Sequence, residues 1–390
     1  MSKIMKDKMK INHNFLPTQY KNDDQLMIKH NYLNEQFADT GEIFKEIEDL
    51  VKSGDYTLGK YVDEFENHIK EITGSRYAIG VGSGTDALFL SLKAAGIDTG
   101  DEVITTPYTF YATIGAIVTA GARPIFIDIR EDYNINPYLI EKSITKKTKA
   151  ILPVHWGGLP CEMDTIMKIA HQYNLSVIED SCQAIKASYK NKTAGTFGLT
   201  GCFSMHPLKN LNVWGDGGYI ITDSKILHDK IVLLRNHGLL NRDKCSIFAY
   251  NSRLDSIQAI VANWLLKRID QITEARIANA NYYDRLLSDI PQIKIPIRAD
   301  DTKQVYHLYL IRAEKRNKLQ KYLNDNGIDA KIHYPIPMHL QPAAKPYGYK
   351  KGDFPLSEAI CDSVLSLPVH EYISKTQIEY VFCNIKEFYA

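Results

Sequence analysis

Apolar residues in the first half of the chain form short runs that alternate with helical patterns. From Ile43 the apolar positions recur at helical spacing and stop at Ser53-Gly54, which predicts a helix ending at the glycine. Beyond it, short β-rich runs alternate with helical segments. The predicted strands are Tyr77–Val81, Glu102–Thr105, Pro124–Ile129, Ala150–Val154 and Ser176–Glu179. This alternation is typical of an α/β fold, with a mainly parallel central sheet flanked by helices on both faces.

The pattern changes after the β-run Tyr219–Thr222. A long helical stretch from Leu254 to about Leu287 leaves the sheet, and a mixed region with a β-run at Tyr306–Arg312 follows it. We therefore predict an N-terminal arm over residues 1–36, a large α/β domain over 37–265, and a linking helix with a small α+β domain over 266–390. Within the arm, His13-Asn14-Phe15-Leu16 is echoed by His30-Asn31-Tyr32-Leu33, a near-repeat that chance also explains.

Composition excludes several classes of function. Forty-seven Lys and Arg residues against 46 Asp and Glu residues leave a net charge of +1, so we expect no nucleic-acid partner. The apolar stretches are far shorter than the roughly 20 residues that a membrane span needs. Six cysteines occur without a CxxC pair, so no metal site is predicted. No apolar signal region opens the sequence, and we expect a cytoplasmic protein.

The segment Gly82-Ser83-Gly84-Thr85 follows a predicted strand and begins a helix. Backbone N–H groups at such a helix start, together with the hydroxyls of Ser83 and Thr85, form a seat for a phosphate group. A tight strand–helix turn in any α/β protein also favours Gly and a capping residue, so a purely structural role stays equally open for this segment alone.

Two further segments carry groups that match the same ligand. Asp180 ends an apolar strand, at the edge where open α/β sheets bind ligands. Lys209 lies between a β-run and Gly215-Asp216-Gly217-Gly218, and a lysine attacks carbonyls once a desolvated pocket deprotonates it. Taken singly, a capping carboxylate and a surface lysine are the ordinary interpretations. Together, the phosphate seat, the acid and the lysine match the phosphate, pyridine nitrogen and aldehyde of pyridoxal phosphate.

In these residues and in the motifs given below, the chain resembles the DegT/StrS-type sugar aminotransferase family of fold-type-I, aspartate-aminotransferase-like pyridoxal-phosphate enzymes. The resemblance extends from about Ile43 to the C-terminus. It implies the type I transferase fold, with a smaller α+β C-terminal domain. The motifs that carry it are Gly82-Ser83-Gly84-Thr85-Asp86-Ala87-Leu88, Thr109-Phe110-Tyr111-Ala112-Thr113, Pro153-Val154-His155, Glu179-Asp180-Ser181-Cys182-Gln183-Ala184, Phe203-Ser204-Met205-His206-Pro207-Leu208-Lys209-Asn210, Arg235-Asn236-His237-Gly238, Tyr250-Asn251-Ser252-Arg253-Leu254-Asp255, Ile257-Gln258-Ala259 and His333-Tyr334-Pro335.

The resemblance implies roles for the candidate cofactor residues. Lys209 would bond covalently to the cofactor aldehyde and move the proton at the substrate carbon, and Asp180 would pair with the pyridine nitrogen. Phe110 would stack on the ring, although ordinary core packing is its alternative, and Gln183 would lie near the phenolic oxygen. The remaining cofactor contacts would come from the phosphate seat and, across a homodimer with shared active sites, from a neighbouring subunit: Ser83, Gly84, Thr85, Ser204 and Asn251.

Four residues are candidates for binding the substrate. Lys186 follows Gln183-Ala184 where many relatives have a His-Gly pair, and it would lie near the cofactor edge or point to solvent. Arg253 suits a phosphate-bearing molecule, with a surface charge as its alternative. His333 and Tyr334 belong to a loop rich in His, Tyr and Pro that we expect at the substrate mouth, although packing of prolines and aromatics explains that loop equally well.

The implied activity is transfer of an amino group from an amino acid, with L-glutamate the expected donor, to a keto sugar in surface-polysaccharide or amino-sugar biosynthesis. A nucleotide-linked sugar is the default acceptor, and a small phosphorylated ketone or a keto-sugar acid is the alternative. A sugar dehydratase of the same fold would have His in place of Lys209. A non-catalytic regulatory protein would not need the intact lysine, acid and phosphate seat. A nicotinamide-dependent oxidoreductase is excluded because no GxGxxG follows a strand.

Overall fold

The structure is a computed structural model that describes residues 25–298 and 301–390. Fifteen strands lie in these ranges, and seven of them form one large sheet. In chain order they are β1 Tyr77–Val81, β2 Glu102–Thr105, β3 Arg123–Phe126, β4 Thr148–Ile151, β5 Ser176–Asp180, β6 Ser188–Tyr189, β7 Lys192–Thr193, β8 Thr200–Ser204, β9 Gly218–Thr222, β10 Leu239–Asn241, β11 Lys244–Cys245, β12 Ile293–Lys294, β13 Thr302–Lys303, β14 Tyr309–Ala313 and β15 Val364–Leu367.

The large sheet has the strand order β1-β9-β8-β5-β4-β2-β3. Strand β9 pairs antiparallel with both of its neighbours, and the other pairs are parallel. The predicted α/β class with a mainly parallel sheet is therefore confirmed. Because β5 and β8 are parallel neighbours with Asp180 opposite Cys202, their carboxyl ends lie side by side at one edge of the sheet.

Helices cover both faces of this sheet. Ile220 packs on one face against Leu88, whereas its neighbour Ile221 packs on the other face against Phe65. Such burial on both sides explains why the strands read as apolar runs rather than as alternating patterns. The α-helices are α1 Leu33–Gln36, α2 Gly41–Ser53, α3 Lys60–Thr73, α4 Gly84–Ala94, α5 Tyr111–Thr119, α6 Met163–Gln172, α7 Lys225–Arg235, α8 Ser256–Leu266, α9 Ile269–Leu287, α10 Arg316–Asp325, α11 Pro355–Ser363 and α12 Lys375–Tyr389.

The C-terminal part forms a smaller α+β unit, as the predicted class requires. Strands β12, β14 and β15 make an antiparallel sheet. Its core joins Ile311 of β14 to Tyr283 of α9, Leu319 of α10 and Ile378 of α12, all of them buried. The predicted boundaries at residues 36/37 and 265/266 remain predictions.

The helical stretch predicted from Leu254 to about Leu287 is two helices rather than one. Arg268, between α8 and α9, has φ −119° and ψ 5°, outside the helical region. Its guanidinium lies 4.1 Å from the centre of the Trp264 ring and donates a hydrogen bond of 3.1 Å to the Gln36 carbonyl. The break between α8 and α9 thus lies at a residue that contacts the arm, and the local apolar pattern does not predict it.

The described part of the arm packs on the smaller unit. Ile28 forms a parallel bridge with Ile328, and its N–H donates to the Gly327 carbonyl over 3.0 Å. The first copy of the near-repeat, residues 13–16, lies outside the described residues. Within the ranges that the structure describes, the helices are all too short or too polar to cross a membrane.

Candidate active site

A cavity of about 720 Å³ lies at the carboxyl ends of the parallel strands. Its walls come from the loops after β1, β2, β5 and β8, from the smaller unit and from the arm. Most of the predicted site residues line it. They are Ser83, Gly84, Thr85, Phe110, Asp180, Gln183, Ser204, Lys209, His333 and Tyr334.

Lys209 follows β8 in a turn whose backbone is strained one residue earlier. Leu208 has φ +75°, a conformation that side chains other than glycine rarely adopt. The Lys209 N–H donates to the His206 carbonyl over 3.0 Å. Burial lowers the pKa of the Lys209 amine, and the nearby Cys182 thiol and Asp180 carboxyl oppose this only in part. The Lys209 ammonium therefore loses its proton more easily than that of an exposed lysine.

Asp180, at the end of β5, is nearly buried and held in one orientation. Its Oδ2 accepts a hydrogen bond from Thr113 Oγ1 at 2.8 Å, and its Oδ1 accepts one from the Cys182 N–H at 3.2 Å. Thr109 Oγ1 lies 2.7 Å from Thr113 Oγ1 and extends the network. The carboxylate thus faces the cavity with its direction fixed by two donors.

Glu179, the preceding residue, points to the other face of the sheet and serves the fold. Its carboxylate is fully buried and accepts hydrogen bonds of 2.7 Å from the N–H groups of Gly195, Phe197 and Gly198. A fourth partner, His155 Nε2, lies 3.0 Å away. Because successive strand residues alternate between faces, the paired acids of the sequence have separate environments.

The start of α4 is the segment for which the sequence predicts a phosphate seat. Ser83 caps the helix, and its Oγ accepts from the Asp86 N–H at 3.0 Å. A Cβ added to Gly84 would lie 2.5 Å from Ser204 Cβ, a distance that real side chains do not reach. Only glycine therefore lets the helix start approach the end of β8. The first N–H groups of a helix lack partners within it, so this approach leaves donors for an anion.

Aromatic rings also line the cavity. Phe110 is 46% exposed rather than buried in the core, so the structure contradicts its core-packing alternative. Its ring centre lies 5.8 Å from that of Tyr334. The Gln183 side chain accepts from the Gly157 N–H at 2.7 Å. Phe110, Gln183 and Tyr334 therefore face one space.

His333 is held between two parts of the chain. Its carbonyl accepts from the Tyr108 hydroxyl at 2.6 Å, and its Nδ1 lies 2.8 Å from Ser366 Oγ. Burial lowers the pKa of His333 to about 3, with help from His30 and Lys331. At neutral pH it is a neutral imidazole, suited to hydrogen bonding rather than to charge pairing.

Three predicted residues lie outside the lining of this cavity. Lys186 Nζ lies 2.8 Å from Asp270 Oδ1 and forms an ion pair there. Arg253 Nη1 donates to Asn236 Oδ1 at 3.0 Å, and Asn251 is exposed and bridges to Asn236 through the backbone. The structure of one chain does not bring these residues to Lys209.

Several lining residues have no role that the sequence predicts. Thr113 ends the motif Thr109-Phe110-Tyr111-Ala112-Thr113, and its spacing of four residues from Thr109 is a signal that could have placed both threonines on one side. Tyr32, Arg276 and His307 come from distant segments, and their sequence surroundings carry no such signal. Burial lowers the pKa of His307 well below its ordinary value, with Lys209 contributing.

Comparisons with known proteins agree with this geometry. The model of the DegT/DnrJ/EryC1/StrS aminotransferase family matches residues 38–386. A protein named pleiotropic regulatory protein from Geobacillus stearothermophilus is 41% identical over 351 residues, 89% of this chain and 94% of the relative. A dTDP-3-amino-3,6-dideoxy-alpha-D-galactopyranose transaminase from Aneurinibacillus thermoaerophilus is 40% identical over 342 residues, 87% of this chain and 93% of the relative. The crystal structure of S. venezuelae DesV in complex with a ketimine intermediate has a TM-score of 0.89 at 35% identity, covering 93% of this chain and 97% of that chain.

Proposed function

Because the chain belongs to the DegT/DnrJ/EryC1/StrS aminotransferase family, we propose that it moves an amino group from an amino acid to a keto sugar in the cavity around Lys209. The protein is a pyridoxal-phosphate-dependent transaminase. L-glutamate is the expected donor, and a nucleotide-linked ketose is the expected acceptor. One observation carries the proposal: a single cavity joins an amine of lowered pKa to a fixed carboxylate.

The residues of the cavity fit pyridoxal phosphate. Lys209 would bond to its aldehyde and Asp180 would face its ring nitrogen. Its phosphate would lie at the start of α4, against the N–H groups of Gly84 and Thr85 and the Ser204 hydroxyl, with Ser83 capping the helix. The close approach of Gly84 to Ser204, which a Cβ on Gly84 would prevent, brings the helix start and this hydroxyl together and supports the assignment. When bound, the cofactor supplies an electron-withdrawing ring that stabilises negative charge at a substrate carbon that has lost its proton.

Asp180 and Lys209 would act on different protons, Asp180 on that of the ring nitrogen and Lys209 on that of the substrate carbon. A carboxylate held by Thr113 and the Cys182 N–H favours a proton on a ring nitrogen beside it. Lys209, whose pKa burial lowers, has a larger neutral fraction than an exposed lysine, and a neutral amine can take a proton from a substrate carbon and return it. Both residues line one cavity, so one bound molecule can meet the carboxylate and the amine together.

Phe110, Gln183, His333 and Tyr334 would position the ring and the sugar. The exposed face of Phe110 would cover the cofactor ring, and the Gln183 amide would lie near its phenolic oxygen. Neutral His333 and the Tyr334 hydroxyl can exchange hydrogen bonds with sugar hydroxyls without requiring a charged partner.

A nucleotide-linked keto sugar suits the cavity better than a small ketone. The cavity volume of about 720 Å³ is typical of sites that enclose ligands well above the size of a triose. The relative from Aneurinibacillus thermoaerophilus is named for a dTDP-linked amino sugar. A small phosphorylated ketone or a keto-sugar acid would leave much of this space to water. The amino sugar produced would enter amino-sugar or surface-polysaccharide synthesis.

A second copy of the chain is proposed as the partner. The hairpin of β10 and β11 leads into an exposed apolar surface, with Phe248 fully exposed and Leu240 63% exposed. Exposed apolar patches of this kind mark association surfaces. If the partner covers this surface, Asn251 can reach the partner's site. Arg253 follows Asn251 by two residues in the sequence. The six unpaired cysteines agree with the proposed cytoplasmic location.

Mixing two inactive variants tests the shared site. Lys209→Ala and Asn251→Asp should each be inactive, whereas a mixed dimer should hold one intact site and regain part of the wild-type activity. Recovery that disappears when Phe248→Asp is added to both chains would support the dimer. Absence of any recovery, with mixed dimers shown to form, would contradict shared sites.

A single-turnover measurement tests the function itself. Cofactor-loaded protein with glutamate and no acceptor should release about one equivalent of 2-oxoglutarate per subunit as its visible absorption band fades, and Lys209→Ala should release none. Nucleotide-linked ketoses should then restore the band. Failure of every amino acid to react would favour a regulatory role, the one named for the relative from Geobacillus stearothermophilus. Loss of water from the sugar without an amino product would indicate a dehydratase.

A further inference from the structure

The N-terminal arm contributes buried side chains next to the turn that carries Lys209. These side chains have no role in the proposed function. The Tyr32 hydroxyl lies 3.2 Å from the carbonyl oxygen of Lys209 and 3.3 Å from that of Leu208, and it donates to this pair of oxygens. Tyr32 lines the cavity and is 2% exposed. The residue with the strained φ of +75° and the residue that carries the amine are therefore both held by one hydroxyl from the arm.

A second residue of the arm reaches the same turn through an asparagine. Asn212 Nδ2 donates to the Lys209 carbonyl at 3.0 Å and to Gln36 Oε1 at 2.7 Å. Gln36 and Asn212 are both buried. The Lys209 carbonyl is therefore linked to the arm in two ways. It accepts a hydrogen bond from Tyr32 directly, and it accepts another from Asn212, which in turn is bonded to Gln36.

Residues of the smaller unit connect Gln36 to Tyr32, the two arm residues involved. Gln36 Nε2 donates to Glu371 Oε1 at 3.0 Å, and Glu371 Oε2 lies 3.3 Å from Arg276 Nη2. The Arg276 guanidinium lies 5.0 Å from the centre of the Tyr32 ring, and the His370 ring stacks on Tyr32 at 5.0 Å. Tyr32 is thus fixed between two groups of the smaller unit while its hydroxyl holds the Lys209 turn.

We infer that Tyr32 is a positioning residue for Lys209, and that the arm fixes the direction of the reacting amine. The inference rests on the proposed role of Lys209. A backbone held at two successive carbonyls limits the directions in which the Cα–Cβ bond of Lys209 can point. An amine that must reach both a cofactor and a substrate carbon gains rate from such restriction.

Tyr32→Phe tests this inference, because it keeps the ring between Arg276 and His370 and removes only the hydroxyl. The matched control is Tyr372→Phe, whose ring lies 6.3 Å from that of Tyr32 and whose residue is absent from the cavity wall. Loss of one net hydrogen bond predicts a fall in kcat of about five- to tenfold with KM for glutamate changed by less than about twofold. The control should leave both constants unchanged.

Hydrogen–deuterium exchange gives a readout that does not depend on activity. Peptides covering residues 206–213 of Tyr32→Phe should exchange about five- to tenfold faster than in the wild type, and those of Tyr372→Phe should not. Unchanged exchange there, or faster exchange with unchanged kcat at saturating cofactor, would overturn the inference. A wild-type protein that forms no covalent bond with the cofactor would instead overturn the proposed function, while exchange would still decide whether Tyr32 holds the turn.

Discussion

Replacing Glu179 with glutamine tests how the sheet edge that carries Asp180 is held together. Glu179 is fully buried and accepts from four donors, three backbone N–H groups and His155 Nε2. Oε1 accepts from Phe197 and Gly198, and Oε2 accepts from Gly195 and the histidine. His155 Nδ1 accepts from the Cys161 N–H at 3.0 Å, which requires Nε2 to carry the proton.

The magnitude follows from the donors that lose an acceptor. In Glu179→Gln the amide oxygen can replace Oε1, but the NH₂ group then faces the N–H groups of Gly195 and His155. Moving the histidine proton to Nδ1 does not help, since it would then face the Cys161 N–H. Two buried donors remain unpaired, and each costs about 1–3 kcal/mol, so the free energy of unfolding should fall by about 2–6 kcal/mol.

Urea unfolding of the purified protein at pH 7, at fixed protein concentration, measures this change. Glu141→Gln is the matched control, because Glu141 is exposed and its side chain accepts, among the described residues, only from the exposed Tyr173 hydroxyl at 3.1 Å and from Gln172. It should change stability by less than about 0.5 kcal/mol. Equal midpoints for the two variants would refute the reasoning that the buried carboxylate organises this edge.

Three further changes have defined outcomes. Gly84→Ala should weaken retention of the cofactor, because its Cβ would force the start of α4 away from Ser204 and Cys182, whereas Gly115→Ala, where a Cβ meets nothing within 4 Å, should retain it in equilibrium dialysis. Thr113→Val removes the 2.8 Å hydrogen bond to Asp180 and should weaken cofactor binding about five- to tenfold in a fluorescence titration. Burial lowers the pKa of His30 from 6.5 to about 3, so the unfolded chain takes up a proton first as pH falls below about 6.5. The free energy of unfolding should then decrease by up to about 1.4 kcal/mol per pH unit from this residue, and His30→Asn should flatten that slope in unfolding curves collected from pH 7 to 5.

Local sequence was sufficient to predict the sheet and the two central groups of the candidate site. Strand β5 reads as an apolar run because both faces are buried, and its last residue, Asp180, lies where parallel strands present ligands. Lys209 was recognisable because an ammonium beside a glycine-rich turn is unusual. In each of these cases the signal is contained in a few consecutive residues.

The remainder of the site depends on contacts between distant segments. Tyr32 reaches Lys209 across 177 positions of the chain, and Gln36 reaches Asn212 across 176. Nothing in the periodicity near Tyr32 distinguishes a residue that lines a cavity from one that packs in a core. The break between α8 and α9 has the same origin, since Arg268 there bonds to the arm. Nearness in sequence to Gln183 suggests that Lys186 lies near the cofactor edge, but its ion pair with Asp270 directs it elsewhere.

The central claim is that the Lys209 amine, and no other, bonds to the cofactor aldehyde. Lys331 also lines the cavity, with its Nζ 3.3 Å from Asp329 Oδ2, so the chain contains an internal competitor. Borohydride reduction of the cofactor-loaded protein followed by peptide mapping locates the bond. The account predicts a pyridoxyl adduct on the peptide containing Lys209 that is lost in Lys209→Ala. An adduct on Lys331, or none on any lysine, would contradict it.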